Sequence, residues 1–171
     1  MPSSTPHLDW AASFPALLGS EEGGCWHIAP CGQVRATRRR YRGDTPILET
    51  AFDIAEGSIR IVDFMPPSGE TPAVVRLVEG VRGRVHVHME LRLRFGCGRI
   101  RPWLRTPVET RLEDAAVQAD FVVSAGELVP FVLTWHPSNE SAPVPVDPMR
   151  ALADTESFWT SAYTGEHVRS A

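Results

Sequence analysis

The segment from Arg84 to Phe95 constrains the fold of this chain most, because its side chains alternate strictly between apolar and polar. The apolar row consists of Val85, Val87, Met89, Leu91, Leu93 and Phe95. The polar row consists of Arg84, His86, His88, Glu90, Arg92 and Arg94. A period of two is that of a β-strand with one dry face and one wet face. The segment therefore predicts a surface strand of a layered β domain.

Shorter segments along the chain carry the same period or are bounded by turn residues. They predict strands at 34–42, 47–54, 59–65, 73–78, 115–123 and 129–135. Gly80 and Gly83 predict a turn between the strand at 73–78 and the long alternating segment. Strands at hairpin spacing are typical of a mainly β fold, an antiparallel β-sandwich.

The C-terminal part has a different pattern. Asp147 is a candidate helix cap with Pro148 in the first turn, and helical spacing of apolar residues predicts one amphipathic helix at 148–163. Leu152, Trp159 and Tyr163 are predicted to face a partner from this helix. From the N-terminus, the predicted organisation is a loose segment at 1–9, the sandwich at 10–140, a Pro-rich linker at 141–147, the helix at 148–163 and a tail at 164–171.

Composition excludes several classes of partner. The formal net charge is −4, and alternation places Arg38 and Arg40 on the face opposite Arg39, so we expect no nucleic-acid partner. No segment approaches the roughly 20 apolar residues of a membrane span. Three cysteines without C-x-x-C spacing, and no secretory signal, favour a reducing, cytoplasmic location.

His86 and His88 raise the alternative of a metal-dependent β-barrel enzyme. Residues i and i+2 of a strand point the same way, so the two imidazoles could share a metal, with Glu90 as a third ligand. Arg84, Arg92 and Arg94 share that face and would repel a dication. A solvated strand face with cross-strand ion pairs is the favoured interpretation, and no cofactor is predicted.

Three residues are candidates for contact with a sugar. Asp63 stands at a predicted strand end before Pro66, where binding loops are often built. Of the five tryptophans, Trp26 and Trp103 are the two candidates, because an exposed indole can stack on a pyranose. Trp135 lies in an inward row and Trp159 on the apolar stripe of the predicted helix. No pair of carboxylates is marked by spacing as a glycosidase pair, and no G-x-S-x-G or phosphate-loop motif occurs.

Six segments resemble one family in their order and spacing. They are 24–30, 39–50, 61–66, 77–80, 98–103 and 131–138. The series resembles the N-terminal, trehalase-like domain of bacterial glucoamylases and trehalases of glycoside hydrolase family fifteen. The resemblance implies a large β-sandwich that packs through a linker helix on an (α/α)6 barrel carrying two catalytic glutamates. Glu156, Phe158 and Trp159 lie in the part that resembles the linker helix.

The resemblance also implies what this chain would not do. It ends where the barrel would begin, so no residue inherits a catalytic role and we expect no enzymatic activity of this chain alone. Family strands after Trp103 are missing, which predicts a reduced sandwich with open sheet edges that could self-associate. The expected function is that of a non-catalytic accessory domain acting in trans with a barrel on α-glucosides. The alternative from a different class is a stand-alone carbohydrate-binding module.

Overall fold

The computed structural model describes residues 24–67, 72–93, 100–137, 139 and 144–167. Nine strands and one helix occur in this part of the chain. They are β1 Cys25–Pro30, β2 Ala36–Tyr41, β3 Leu48–Asp53, β4 Gly57–Phe64, β5 Ala73–Arg92, β6 Ile100–Arg105, β7 Arg111–Glu113, β8 Ala116–Ser124, β9 Leu128–Pro137 and α1 Pro148–His167. The mainly β architecture with a C-terminal helix confirms the predicted fold class. The predicted loose segment at 1–9 lies outside the described residues.

The strands form two antiparallel layers that share β5. The first half of β5 belongs to a six-stranded layer with the order β2-β3-β4-β5-β9-β6. Its second half belongs to a four-stranded layer with the order β1-β5-β8-β7. The chain is therefore a sandwich in which one long strand passes from one sheet to the other.

The continuity of β5 corrects the turn predicted at Gly80 and Gly83. Both glycines lie within one 20-residue strand, where they allow a bend instead of a reversal. A Cβ on Gly80 would lie 2.0 Å from the carbonyl oxygen of Ser124, and one on Gly83 would lie 2.1 Å from that of Glu56. Gly83 also has a φ of 68°, which favours glycine. Where β5 passes from one sheet to the other, these two positions therefore have no room for a side chain.

The core between the sheets is built from the inward rows of both layers. From the four-stranded layer it takes the predicted apolar row of β5 and the alternate residues of β8. Its buried members include Ile28, Ile59, Ile61, Val78, Val85, Val87, Met89, Leu91, Ala119, Val123, Phe131 and Leu133. Trp135 packs against this cluster, as its row predicted. The alternation therefore identified the inward face correctly.

The helix packs on part of the outer face of the six-stranded layer, and we call this outer face the helix face. A second buried cluster forms there from Ile47, Val62, Phe64, Val75, Leu77, Val132, Ala151 and Leu152. Asp147 caps α1, since its Oδ1 accepts from the backbone N–H of Met149 at 3.0 Å and of Arg150 at 3.2 Å. The helix extends to His167, beyond the predicted end at 163. No helix in the described ranges is long and apolar enough to cross a membrane.

The sheet edges of the described strands carry features that discourage strand pairing. The edge strand β2 contains Arg38, Arg39 and Arg40, all exposed, and charged edges repel a second strand. The edge strand β7 spans only three residues. Pro30 and Pro102 lie on the edge strands β1 and β6, and proline removes a donor from each edge. These features limit strand pairing at the described edges, and self-association through them stays a prediction.

Candidate functional site

A buried carboxylate and the arginines around it connect the helix face to the helix. Glu49 on β3 is buried, and Arg40 Nε donates to its Oε2 at 2.7 Å. Arg42 Nε donates to the other oxygen, Oε1, at 2.7 Å. Arg60 Nη1 lies 3.7 Å from Oε1. Arg42 also donates from Nη1 to Oε1 of Glu156 on α1 at 3.1 Å. One guanidinium therefore links the sheet to the middle of the helix.

Glu49 remains ionised in this network. Burial on its own would raise the pKa of Glu49, but hydrogen bonds from Arg40 and Arg42 outweigh it and hold that pKa below its usual range. Sequence reasoning missed this cluster. Its one available signal was the hairpin register, in which Arg40 faces Glu49. The contact with Glu156 spans 114 residues of sequence and had no local signal.

The exposed side of α1 differs from the partner-facing surface that the sequence predicts. Leu152 is only 8% exposed, because it packs on the protein's own sheet, so its assignment to a partner interface is corrected. Trp159 is half-buried, and the side chain of Tyr163 lies outside the described residues. Phe158 is 48% exposed and meets Trp159 edge-on at a centroid distance of 5.3 Å. A shallow groove beside this pair is lined by Asp154, Ser157, Phe158, Ser161 and Ala162.

The basic segment of β2 lines an open groove on the outer face of the same sheet. The groove encloses about 600 Å³ and is lined by Arg38, Arg39, Arg40, Glu49, Ala51, Arg60 and Val81. Arg38 pairs with Asp53. Arg60 pairs with Glu79 at 3.0 Å. Arg40 is held by the carboxylate described above. These three arginines therefore balance carboxylates of neighbouring strands.

Asp63 and Trp26 meet at one end of the inter-sheet core. Arg76 Nε donates to Asp63 Oδ1 at 2.8 Å, and Arg76 Nη2 lies 3.3 Å from Oδ2. The same guanidinium donates to the carbonyl oxygen of Trp26 and lies 5.2 Å from the centre of its ring. Trp26 is only 9% exposed, which corrects its assignment as a sugar-stacking residue. The arrangement ties the two sheets together, and it occupies the carboxylate of Asp63.

Trp103 is held by two side chains on the edge of the helix face. It lies on the edge strand β6 and is 41% exposed. Its Nε1–H donates to Nε2 of the buried His136 at 2.8 Å. Arg105 lies over the indole ring, with Cζ 5.7 Å from the centroid. Of the two tryptophans selected from the sequence, this is the one that remains accessible.

The polar row of β5 lies on the solvent side of the four-stranded layer. His88 Nδ1 lies 2.7 Å from Oδ1 of Asp120, and Glu90 pairs with Arg92. Hydrogen bonds from His88 and Arg111 hold the pKa of Asp120 below its usual range. His86 is exposed. Within the described ranges, no three His, Cys, Asp or Glu side chains form a metal site. His88 has a cross-strand partner in Asp120, whereas Glu90 and Arg92 pair along the same strand. These pairs are typical of a solvated strand face, and the metal alternative gains no support.

The comparison with known families agrees with this architecture. A model of the family described as trehalase-like, N-terminal matches residues 3–148, which include all nine described strands. No curated protein and no solved structure matches the chain. Because the match covers well over half of the 171 residues, this chain belongs to the trehalase-like N-terminal domain family.

Proposed function

We propose that this domain is a non-catalytic accessory domain that supports an (α/α)6 catalytic barrel in the hydrolysis of α-glucosides such as trehalose or α-glucans. The observation that carries the proposal is the division of α1 into two parts. Ala151 and Leu152 in its first turns are buried on the domain's own sheet, whereas Phe158 further along is about half exposed. Membership in a family named for the N-terminal part of trehalase-like proteins supports a glucoside hydrolase as the partner.

The helix is well suited to present a docking surface. Leu152 and the capping Asp147 fix its start, and the ion pair from Arg42 to Glu156 fixes the turn before Phe158. A rigid aromatic on an anchored helix loses little conformational freedom on binding, which is a property of interface hot spots. The groove beside Phe158 gives a neighbouring helix a place to pack.

Glu49, Asp63 and Asp120 each have a cationic partner. A glycosidase requires a carboxylic acid that keeps its proton near neutral pH, opposite a second carboxylate. The pKa values of Glu49 and Asp120 are instead lowered, because hydrogen bonds from cations stabilise their ionised forms. Asp63 is paired with Arg76. A supporting role is therefore favoured over hydrolysis by these side chains.

A reducing, cytoplasmic location is part of the same proposal. Cys25 and Cys31 are free thiols, and Cys31 is exposed. Partial desolvation and the negative charge of Asp120 raise the pKa of Cys31, which favours the protonated thiol. Free thiols of this kind suit a compartment that maintains cysteines in the reduced state.

Mixing this domain with a family-fifteen barrel that lacks its own N-terminal domain tests the proposal. We expect a 1:1 complex by light scattering and a higher rate of trehalose or maltotriose hydrolysis than for the barrel alone. Phe158→Glu should weaken the complex by about tenfold or more, since truncating a buried interface aromatic commonly has that effect.

Leu112→Glu is the matched control, because Leu112 is an exposed apolar residue on β7 of the other sheet. It should leave both the complex and the rate unchanged. Absence of a complex with the unmodified domain, or equal losses for the two variants, would contradict the proposal.

A further inference from the structure

Trp103 is an exposed tryptophan that has no part in the proposed docking of a catalytic barrel. It lies on β6, at the opposite edge of its sheet from β2, and nothing in the docking proposal involves it. Two-fifths of its surface stays exposed although Arg105 lies over the ring. An indole exposed to this extent leaves apolar area in water, at a cost that a ligand could relieve.

The orientation of this indole is fixed by a hydrogen bond to a buried histidine. Its Nε1–H donates to His136 Nε2 at 2.8 Å, so that nitrogen of the buried imidazole acts as an acceptor and carries no proton. The two rings are 6.3 Å apart between centroids. A side chain held in one orientation has already lost the rotational freedom that binding would otherwise remove. His136 is thus a positioning residue for the exposed indole.

The surroundings of Trp103 are polar. Among the described residues, no other large apolar side chain of β6 is exposed, and on β9 the single one is Leu128 at the start of the strand. Trp103 is opposite Thr134 in the register, six residues from Leu128 and about 20 Å away along the strand. A protein interface would require a contiguous apolar patch, and the side chains described at this edge do not form one.

We propose that Trp103 is a stacking platform for a neutral pyranose sugar. A pyranose has one apolar face that matches an indole and a rim of hydroxyls that needs polar neighbours. The guanidinium of Arg105 lies over the same ring, and its N–H groups are the kind of donor that a sugar hydroxyl accepts from. The site is independent of the proposed docking helix, because neither Phe158 nor a catalytic barrel is needed to form it.

The test is a titration of the ¹⁵N-labelled domain alone with maltotriose, trehalose and glucose, followed by the indole N–H resonances of its five tryptophans. The resonance of Trp103 is the one that disappears in Trp103→Phe. We expect it to shift saturably with at least one saccharide while the resonance of the buried Trp26 does not move. If none of the five indole resonances shifts with any of the three saccharides, the proposal is overturned, and this result requires no variant to fold.

Variants then separate the platform from its support. Trp103→Ala should weaken saccharide binding by about tenfold or more, and Trp103→Phe by less, because the phenyl ring keeps a stacking face. His136→Ala should weaken binding and broaden the indole resonance, whereas His136→Gln should restore both by supplying an acceptor. Phe158→Ala is the matched control and should bind saccharide normally. Unchanged binding by Trp103→Ala would also overturn the proposal.

Discussion

Arg42, in the turn between β2 and β3, donates from Nη1 to Oε1 of Glu156 on the C-terminal helix at 3.1 Å, across 114 residues of sequence. Its Nε holds the buried Glu49. The second contact involves a more deeply buried carboxylate than the first, because the Glu156 side chain is 39% exposed and that of Glu49 is 4% exposed. The two contacts are therefore expected to differ in their contribution to stability.

Removing Arg42 should cost much more stability than removing its helix partner. We expect Arg42→Ala to lower the free energy of unfolding by about 2–3 kcal/mol, because it leaves the buried Glu49 with fewer cations. Glu156→Gln should cost about 0.5 kcal/mol, since solvent screens an exposed pair. Urea unfolding followed by tryptophan fluorescence measures both. Equal losses would show that Glu49 does not depend on Arg42.

The stability of the domain should fall in acid because of Glu49. The folded state lowers the pKa of Glu49, so the folded protein favours the ionised form more strongly than the unfolded chain does. That contribution is complete above the unfolded-state pKa of about 4.3 and is lost as pH falls through the lower folded-state value.

The measurement is a comparison of the wild-type protein with Glu49→Gln by urea unfolding from pH 7 down to pH 3. Glu49→Gln should be the less stable protein at pH 7, and the difference should shrink in acid. Other carboxylates, including Asp120, contribute to both proteins and cancel in the difference. Stability curves that stay parallel over the whole range would contradict the assignment.

The bend in β5 should tolerate no side chain at Gly80. Gly80→Ala would place a Cβ within 2.0 Å of the Ser124 carbonyl oxygen, so a loss of about 3 kcal/mol or failure to fold is expected. Gly126→Ala is the control, because Gly126 has a φ of 85° but nothing within 4 Å. It should cost only about 1–2 kcal/mol of backbone strain. Thermal unfolding measures the loss of stability in each variant. Similar losses would show that the Ser124 carbonyl oxygen is not what excludes a side chain at Gly80.

The hairpin between β7 and β8 offers a stabilising substitution. Asp114 and Ala115 both have positive φ, at 49° and 60°, as in a type I′ turn. Ala115→Gly creates the preferred Asp-Gly pair and should raise stability by about 0.5 kcal/mol, after the entropy that glycine adds to the unfolded chain. Ala119→Gly, in the core of β8, should instead be destabilising. A loss of stability in Ala115→Gly would contradict the expected turn type.

Sequence patterns predicted the parts of the fold that local chemistry determines. The alternation of 84–95 and of the segments that became β8 and β9 identified their inward faces, because one side of each strand meets the core. Asp147 and Pro148 marked the start of the helix. These features depend on neighbours within a few residues.

Features set by distant contacts were missed. Gly80 and Gly83 resemble a turn locally, and only the approach of Ser124 and Glu56 shows that they form a bend in a continuous strand. The three-residue strand β7 is too short for a period to be detected, and β6 contains Pro102, which is unusual within a strand. The burial of Leu152 and Trp26 depends on which sheet lies opposite, which no local period encodes.

Hydrogen exchange of the domain with and without a family-fifteen catalytic barrel tests the proposed docking through α1. We expect the barrel to slow exchange of backbone amides in 155–162 of α1, the part that carries Phe158, while the outer strands β1 and β7 exchange as before. Protection of β1 and β7 with no change in 155–162 would place the barrel on the other sheet and contradict docking through the helix.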